Sequence, residues 1–403
     1  MGRIRTRGVS RRELFGSLLA MVFLVNLARL IFAPIIQPAA AEFEVTAAAL
    51  GIVASAAWMG SAAPRLPTGY LLTRVPRHWV VTGTGSLLVA TSLYTGLSQS
   101  VTQLTIGAFL MGMSSGMYFI AANPLVSELF PERVGTAIGI HGMSSELAAV
   151  VAPIIISIVL LVGNWRLSFV IIAITAAVVT IGLVVATRRS ELPEAGSQDR
   201  SLLLAGKAQW PLILTGVAII GSIGFLWNGF FNLYGDYLDL VKGIDPGTGR
   251  IMLSTMFAAG MPAFLVSGRL ADRFSNVPLF IAIGTAFVLC VLTLTLVEGL
   301  LAIALVSVAI GVSMFSLIPI VDRYLLATLP DHHRGSAYAL YSSSMMFVQA
   351  LGSGVIGMMV VRGIDYSRAF QIVCLGVALV LGVLFVLYLV GRLPAGRAPN
   401  LDP

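Results

Sequence analysis

The chain has 403 residues, of which 57% are hydrophobic and 11% charged, with a formal net charge of +7 and a mean hydropathy of +0.93. Soluble domains carry about 25% charged residues, so a soluble globular chain is excluded. A polytopic helical membrane protein is expected instead.

The chain opens on "SRRELFGSLLA" from Ser10, two arginines ahead of an apolar run, with the small residues "AAAEF" from Ala39. An export signal with a cleavage site has this form. So does a first membrane helix with an inward-facing basic anchor. Apolar runs then follow one another, and spans are expected near 14–38, 47–72, 79–97, 102–129, 135–162 and 166–187. A second set is expected near 209–235, 250–270, 277–297, 300–328, 335–361 and 367–390. Cys290 and Cys374 fall inside such runs and read as small buried side chains, since nothing in their spacing suggests a metal site or a disulfide framework. "RRSELPEAGSQDR" from Arg188 is the longest internal polar stretch. It divides the chain into a first bundle (1–187), a cytoplasmic linker (188–208) and a second bundle with a short tail (209–403).

Lys and Arg in the connections set the orientation. Eighteen lie with the tail, the linker and alternate loops. Five lie on the other side: Arg166, Lys242, Arg250, Arg362 and Arg368. Both termini are therefore expected in the cytoplasm of a plasma-membrane protein. The positive charge is a topological bias, not a nucleic-acid surface.

The halves echo each other at an offset of about 200 residues. "FLVNLAR" from Phe23 resembles "FLWNGFF" from Phe225, aligning Asn26 with Asn228. "PTGYLLTR" from Pro67 parallels "VSGRLADR" from Val266, aligning Gly69 with Gly268 and Arg74 with Arg273. "FPERVGTAIGI" from Phe130 parallels "LPDHHRGSAYAL" from Leu329 with one inserted residue. Removal of the opening run would delete the partner of span seven, so a retained helix is expected.

"GRLADRF" from Gly268 is similar to the signature of the major facilitator superfamily, and the chain resembles that family over nearly its whole length. The resemblance implies an all-α fold of twelve helices in two pseudo-symmetric bundles, a substrate site near the bilayer midplane, and a gating role for Gly268, Arg269, Asp272 and Arg273. In the first half it points to Gly69 and Arg74. That copy departs from the pattern at Thr73 and Pro76, and the fourth span has Ala108 where an arginine is frequent. "GIHGMSSELAAVVAP" partly matches a motif of proton-driven exporters, with Glu146 and Ala152 interrupting it.

A charge at a helix centre costs roughly 2.5–3.5 kcal/mol on insertion scales. Arg29 sits about 22 Å into span one at about 1.5 Å per residue, and Glu146 lies near the middle of span five. Arg29 is the candidate ligand for an anionic group, because its planar donors match a carboxylate or phosphate fork. Glu146 is the candidate proton carrier, since desolvation favours its neutral form, with His141 a turn and a half away in the same helix. The alternative is that Arg29 and Glu146 neutralise one another. Asn26, Asn228, Asn232, Tyr341 and Gln349 join the substrate-binding candidates as polar positions at helical spacing. Hydrogen bonding between packed helices would use the same stripes.

No P-loop and no metal constellation is visible, and no cofactor is expected. An ion gradient remains as the energy source, and one charge moved across 100 mV supplies about 2.3 kcal/mol. The chain thus reads as a secondary transporter, not an enzyme. It is expected to be a lipid-embedded monomer that moves a small organic anion by alternating access, coupled to protons or to anion exchange. A proton-driven exporter of drugs or other amphipathic compounds, favoured by Trp227, Phe230, Phe231, Tyr234 and Tyr341, is the alternative of the same class. A non-transporting membrane sensor is the alternative of another class.

Overall fold

The computed structural model describes the backbone of residues 8–72, 74–130, 134–189, 202–329 and 334–393. Some side chains within these helices, including those of 268, 269 and 271–273, lie outside the description. The described residues form fifteen α-helices and no strand. In the first half these are α1 (Gly8–Leu30), α2 (Phe32–Phe43), α3 (Gly51–Ala62), α4 (Arg65–Leu71), α5 (Arg77–Gly96), α6 (Val101–Leu129), α7 (Val134–Val162) and α8 (Leu167–Arg188). In the second they are α9 (Leu202–Gly216), α10 (Ser222–Lys242), α11 (Pro246–Arg273), α12 (Asn276–Leu296), α13 (Leu300–Thr328), α14 (Arg334–Val361) and α15 (Tyr366–Leu389).

Among the described residues, ten helical stretches are long and apolar enough to cross a membrane. α5, which opens on Arg77 and His78, and the glycine- and arginine-bearing α11 are less apolar and complete the twelve spans. Three spans are made of more than one helix, each with an identifiable cause. Pro34 cannot donate to the Leu30 carbonyl, and span one turns at Ile31 between α1 and α2. Span two breaks ahead of Arg65, with Pro64 as the N-cap of α4. Span seven departs from helical geometry at Gln209, two residues before Pro211, and then widens into one π-helical turn over Val217–Gly221.

Two compact units result, Met1–Glu44 with Ile52–Asp199 and Val45–Gly51 with Arg200–Pro403. The last part of the expected linker is helical: the chain is in a helix from Leu202 up to the kink at Gln209, where span seven begins. Span seven also runs past its expected end at 235, to Lys242, where Gly243 closes the helix at φ 65°.

In the first unit α1 is the central helix, packed against α6, α7 and α8. Leu14, Leu18, Met21, Val22, Val25 and Ala28 are fully buried along it. In the second, Trp227 gathers Phe231, Phe257, Phe287 and Phe315 around itself, with ring centroids 5.3–6.3 Å apart. The repeat is written into the packing as well. A Cβ on Gly112 would stand 2.0 Å from the Ala57 carbonyl, and one on Gly311 would stand 2.0 Å from the Met256 carbonyl. Both pairs are 199 residues apart in sequence. Span four therefore lies on span two as span ten lies on span eight, each at a contact only glycine permits.

Candidate functional site

Asn26 and Arg29 are one turn apart on α1 and share a face. The Asn26 amide nitrogen donates to the Ser145 carbonyl of α7 at 2.7 Å, and its oxygen accepts from the Arg29 guanidinium at 2.5 Å. The other face of that guanidinium lies over the Trp58 ring of α3, 4.2 Å from its centroid. A desolvated stack of this kind contributes about 2 kcal/mol. Arg29 also occupies the last turn of α1, where the helix dipole favours a cation by about 0.3–1 kcal/mol. The turn at Ile31 thus gives the arginine a helix end to sit on, deep inside a span.

These contacts leave the guanidinium incompletely satisfied. Its Nε is buried without a hydrogen-bond partner among the described residues, while the residue as a whole is only half-buried. Glu146 follows the Ser145 anchor directly, and Arg29 lies in the electrostatic field of both Glu146 and Arg65. No ion pair joins Arg29 to Glu146 among the described residues. Mutual neutralisation in a closed pair is therefore not the arrangement observed. Arg29 and Glu146 stand near one another without an ion pair, and the guanidinium is held by neutral groups.

His141 is engaged differently. Tyr118 donates its hydroxyl proton to the Leu18 carbonyl at 2.7 Å, so His141 Nε2, 3.1 Å from the same oxygen, is the donor of that pair. The two rings stack at 5.8 Å. With Ser144 donating to Leu19 O at 2.9 Å, these bonds fasten α6 and α7 to α1. His141 is a buried packing element here, about a turn and a half from Glu146.

The candidates of the second unit hold helices together. Ser353 of α14 donates to Asn228 Oδ1 at 2.5 Å, and Asn232 donates to the Asn228 carbonyl at 2.8 Å and to Ser353 Oγ at 3.1 Å. All three are buried. Gln349 reaches into the π-helical turn, donating to the Ile220 carbonyl at 3.2 Å. A Cβ on Gly224 would meet the Gln349 amide at 2.3 Å, so that glycine makes the notch in which the amide lies. The Tyr341 ring packs against Gly216. Asn26, Arg29 and Glu146 thus come together in one unit, and Asn228, Asn232, Tyr341 and Gln349 lie in the other.

The gating candidates are partly described. Arg74 donates to the Tyr70 hydroxyl at 2.5 Å and stacks on its ring. A Cβ on Gly69 would meet nothing within 4 Å. The side chains of Arg269, Asp272 and Arg273, and the surroundings of Gly268, lie outside the description.

Three features were not singled out from sequence. One is Trp58, an aromatic among alanines that carries no charge to draw notice. The second is the ion pair of Arg77 with Glu128 at 2.8 Å, which ties the start of α5 to the end of α6. The third is a clasp at the opposite end of the first unit. There Glu42 accepts from the Trp165 indole and pairs with Arg166, which also donates to the Ser98 carbonyl. Sequence separations of 123 and 68 residues hide it.

The internal repeat supplies a comparison within the chain. The offset that aligns Asn26 with Asn228 sets Phe231 opposite Arg29, and the 199-residue offset sets Phe257 opposite Trp58. Phe231 packs edge-on against Phe257 at 5.6 Å. The contact of Arg29 with Trp58 is therefore present twice, once with a cation and once without.

A family model described as the Major Facilitator Superfamily matches residues 18–321 and 241–402. A probable nitrate transporter, NarT of Staphylococcus carnosus, is 24% identical over 151 residues, 37% of this chain and 39% of that protein. The match thus spans under half of that relative. The uncharacterized MFS-type transporter YdgK of Bacillus subtilis is 24% identical over 287 residues, covering 67% of this chain and 70% of that protein. Among solved structures, a D-xylose–proton symporter superposes with a TM-score of 0.78 at 14% identity, covering 93% of this chain and 97% of that one. A bacterial homologue of the lysosomal transporter Spinster, inward-facing and occupied, gives 0.75 at 16% identity, covering 95% and 97%.

Proposed function

Since the chain belongs to the Major Facilitator Superfamily and is a multi-pass membrane transporter, we propose that its cargo is a small anionic solute, carried by alternating access and bound at Arg29. The observation that carries this reading is a guanidinium deep within a span, held by Asn26 and Trp58, with Nε unpaired. A carboxylate or a small inorganic oxyanion supplies the charge and the acceptors that such a group lacks. The distant relative named as a nitrate transporter is consistent with an anion as cargo. Phe231 opposite Arg29 in the repeat supports a role for the arginine beyond packing.

Glu146 is the proton carrier of this reading. The carboxylate and the bound anion compete for the same cation, so filling the site favours a protonated Glu146. Proton symport or anion exchange then follows from one set of charges. The plasma membrane, with both termini cytoplasmic, is the location the arginine distribution favours, and a monomer is the working state. The alternative of an exporter of amphipathic compounds draws less support, because Trp227, Phe230, Phe231 and Tyr234 are buried against other side chains of their own unit.

The test is a thermal-shift screen of the purified chain with organic acids and nitrate, followed by uptake of whichever anion raises the melting temperature. Arg29→Lys keeps the charge and loses the fork. It is expected to lower uptake about 30-fold, as loss of one charged hydrogen bond of about 2 kcal/mol would, at unchanged abundance. Glu146→Gln is expected to retain anion binding and lose its dependence on pH. Full transport by both variants would defeat the reading.

A further inference from the structure

The last third of α10 holds a second buried carboxyl. Asp236 is 8% exposed and lies six residues before the end of the helix at Lys242, about 9 Å along its axis. Tyr366, at the start of α15, donates its hydroxyl to Asp236 Oδ2. Around this pair are rings. Tyr366 and Phe370 pack at 6.2 Å, and both pack on Tyr237, at 6.3 and 5.3 Å. Tyr237 is itself tied to α12 through the Leu294 carbonyl.

A buried carboxylate is ordinarily paired with a cation, and this one is not. The charged group that acts on Asp236 is Asp239, one turn along the same helix, and it carries the same sign. Lys242, a further turn on, donates to the Thr295 and Val297 carbonyls at the end of α12. The other ionisable groups at this end are Asp245 and Arg250 at the start of α11, Glu298 after α12, Arg362 after α14, and Asp365 and Arg368 at the start of α15. Among the described residues none makes an ion pair with Asp236. The π-helical turn and Val45–Gly51, which also pack on α10, carry no ionisable side chain.

We infer that Asp236 is a proton-binding site of this chain, separate from the Arg29 region. Tyr366 occupies Oδ2, so Oδ1 takes the proton from water. While α15 is packed against α10, the absence of a countercation keeps the carboxyl as the neutral acid. Movement of Tyr366 away from α10 would admit water, and the O–H bond at Oδ1 breaks to give carboxylate and a hydrated proton. Binding and release are thus tied to packing at one end of the second unit. The inference does not depend on the cargo being an anion.

Infrared difference spectra of the full chain in lipid, recorded across a pH titration, read the carbonyl stretch of a protonated carboxyl directly. One such band is expected to titrate in the wild type, to vanish in Asp236→Asn and to persist in Glu146→Gln. Tyr366→Phe removes the donor that favours the charged form, so the band should remain and titrate at higher pH. This variant keeps the ring, and serves as the test if Asp236→Asn does not fold. Loss of no titrating band in Asp236→Asn, or no band whose titration moves in Tyr366→Phe, overturns the inference. If the sole titrating band is the one lost in Glu146→Gln, the inference is overturned while the Arg29–Glu146 reading stands.

Discussion

Spans one and five of the first unit correspond in the repeat to spans seven and eleven of the second, and the two pairs differ in one respect. Each is pinned by an asparagine near the middle of its earlier helix. Asn26 donates to Ser145 of α7, and Asn228 accepts from Ser353 of α14. About one turn beyond the asparagine the first pair is charged, and at the matching level the second is apolar. Arg29 faces Phe231 in the alignment, Trp58 faces Phe257, and Glu146 faces Met346. Phe231 and Met346 are almost wholly buried. An apolar pair is sufficient for packing at this level, so the charges of the first unit are retained against an insertion cost of several kcal/mol. A cost of that kind points to function.

The strongest way to break the comparison is to copy the second unit into the first. Arg29→Phe should fold with an unchanged melting temperature and lose transport at least 100-fold, measured as uptake against abundance. Retained transport would mean that the charge is incidental. Next come Gly112→Ala and Gly311→Ala, which force a methyl against a backbone carbonyl in equivalent places. Each should cost about 1–3 kcal/mol, and the two should agree in a denaturation series; a large disagreement would show that the repeat has diverged in packing.

A smaller effect sharpens the contrast between the asparagines. A double-mutant cycle of Asn228→Ala with Ser353→Ala should give a coupling of about 0.6 kcal/mol in stability and leave anion affinity unmoved. Asn26→Ala releases Arg29 from its tether, and should weaken affinity with little change in melting temperature.

The smallest effect lies in the loop after α10. Asp245 caps α11, accepting from the Thr248 amide at 3.0 Å, and the Thr248 hydroxyl and amide hold its carboxyl below the usual carboxylate range. A depressed folded value means that the cap contributes above the ordinary carboxylate range and fades as pH falls through it. Asp245→Ala should therefore lower the melting temperature slightly at neutral pH, and the difference should close in acid.

Much of the fold was legible in the residues. The apolar runs and the three repeated strings were readable because hydropathy and spacing are local properties. The start of span seven near 209 matches the kink at Gln209, whereas its end lies beyond 235: Gly243, rather than the polar residues from Asp236 on, closes the helix. An end at 235 leaves Asp236 outside the span, where a carboxyl draws no notice. Arg29, Asn26 and Glu146 could be suspected from depth alone. The polar stripes of the second half were legible as stripes, but helical spacing does not say whether a face meets a cavity or another helix. Asn228, Asn232 and Gln349 meet α14 or the π-helical turn.

By itself the sequence determined that this chain enters a membrane, how often it crosses, and that it does so in two related halves. These follow from transfer energies summed along short segments, which each residue carries wherever it goes. Only the tertiary structure decided that Arg29 rests on Trp58 without an acid in contact, that Tyr118 ties up His141, and that Asp236 meets Tyr366. Those outcomes depend on which side chains arrive at the same place from positions up to 130 residues apart. The burial of a charge acquires its meaning from those neighbours, and local composition does not contain them.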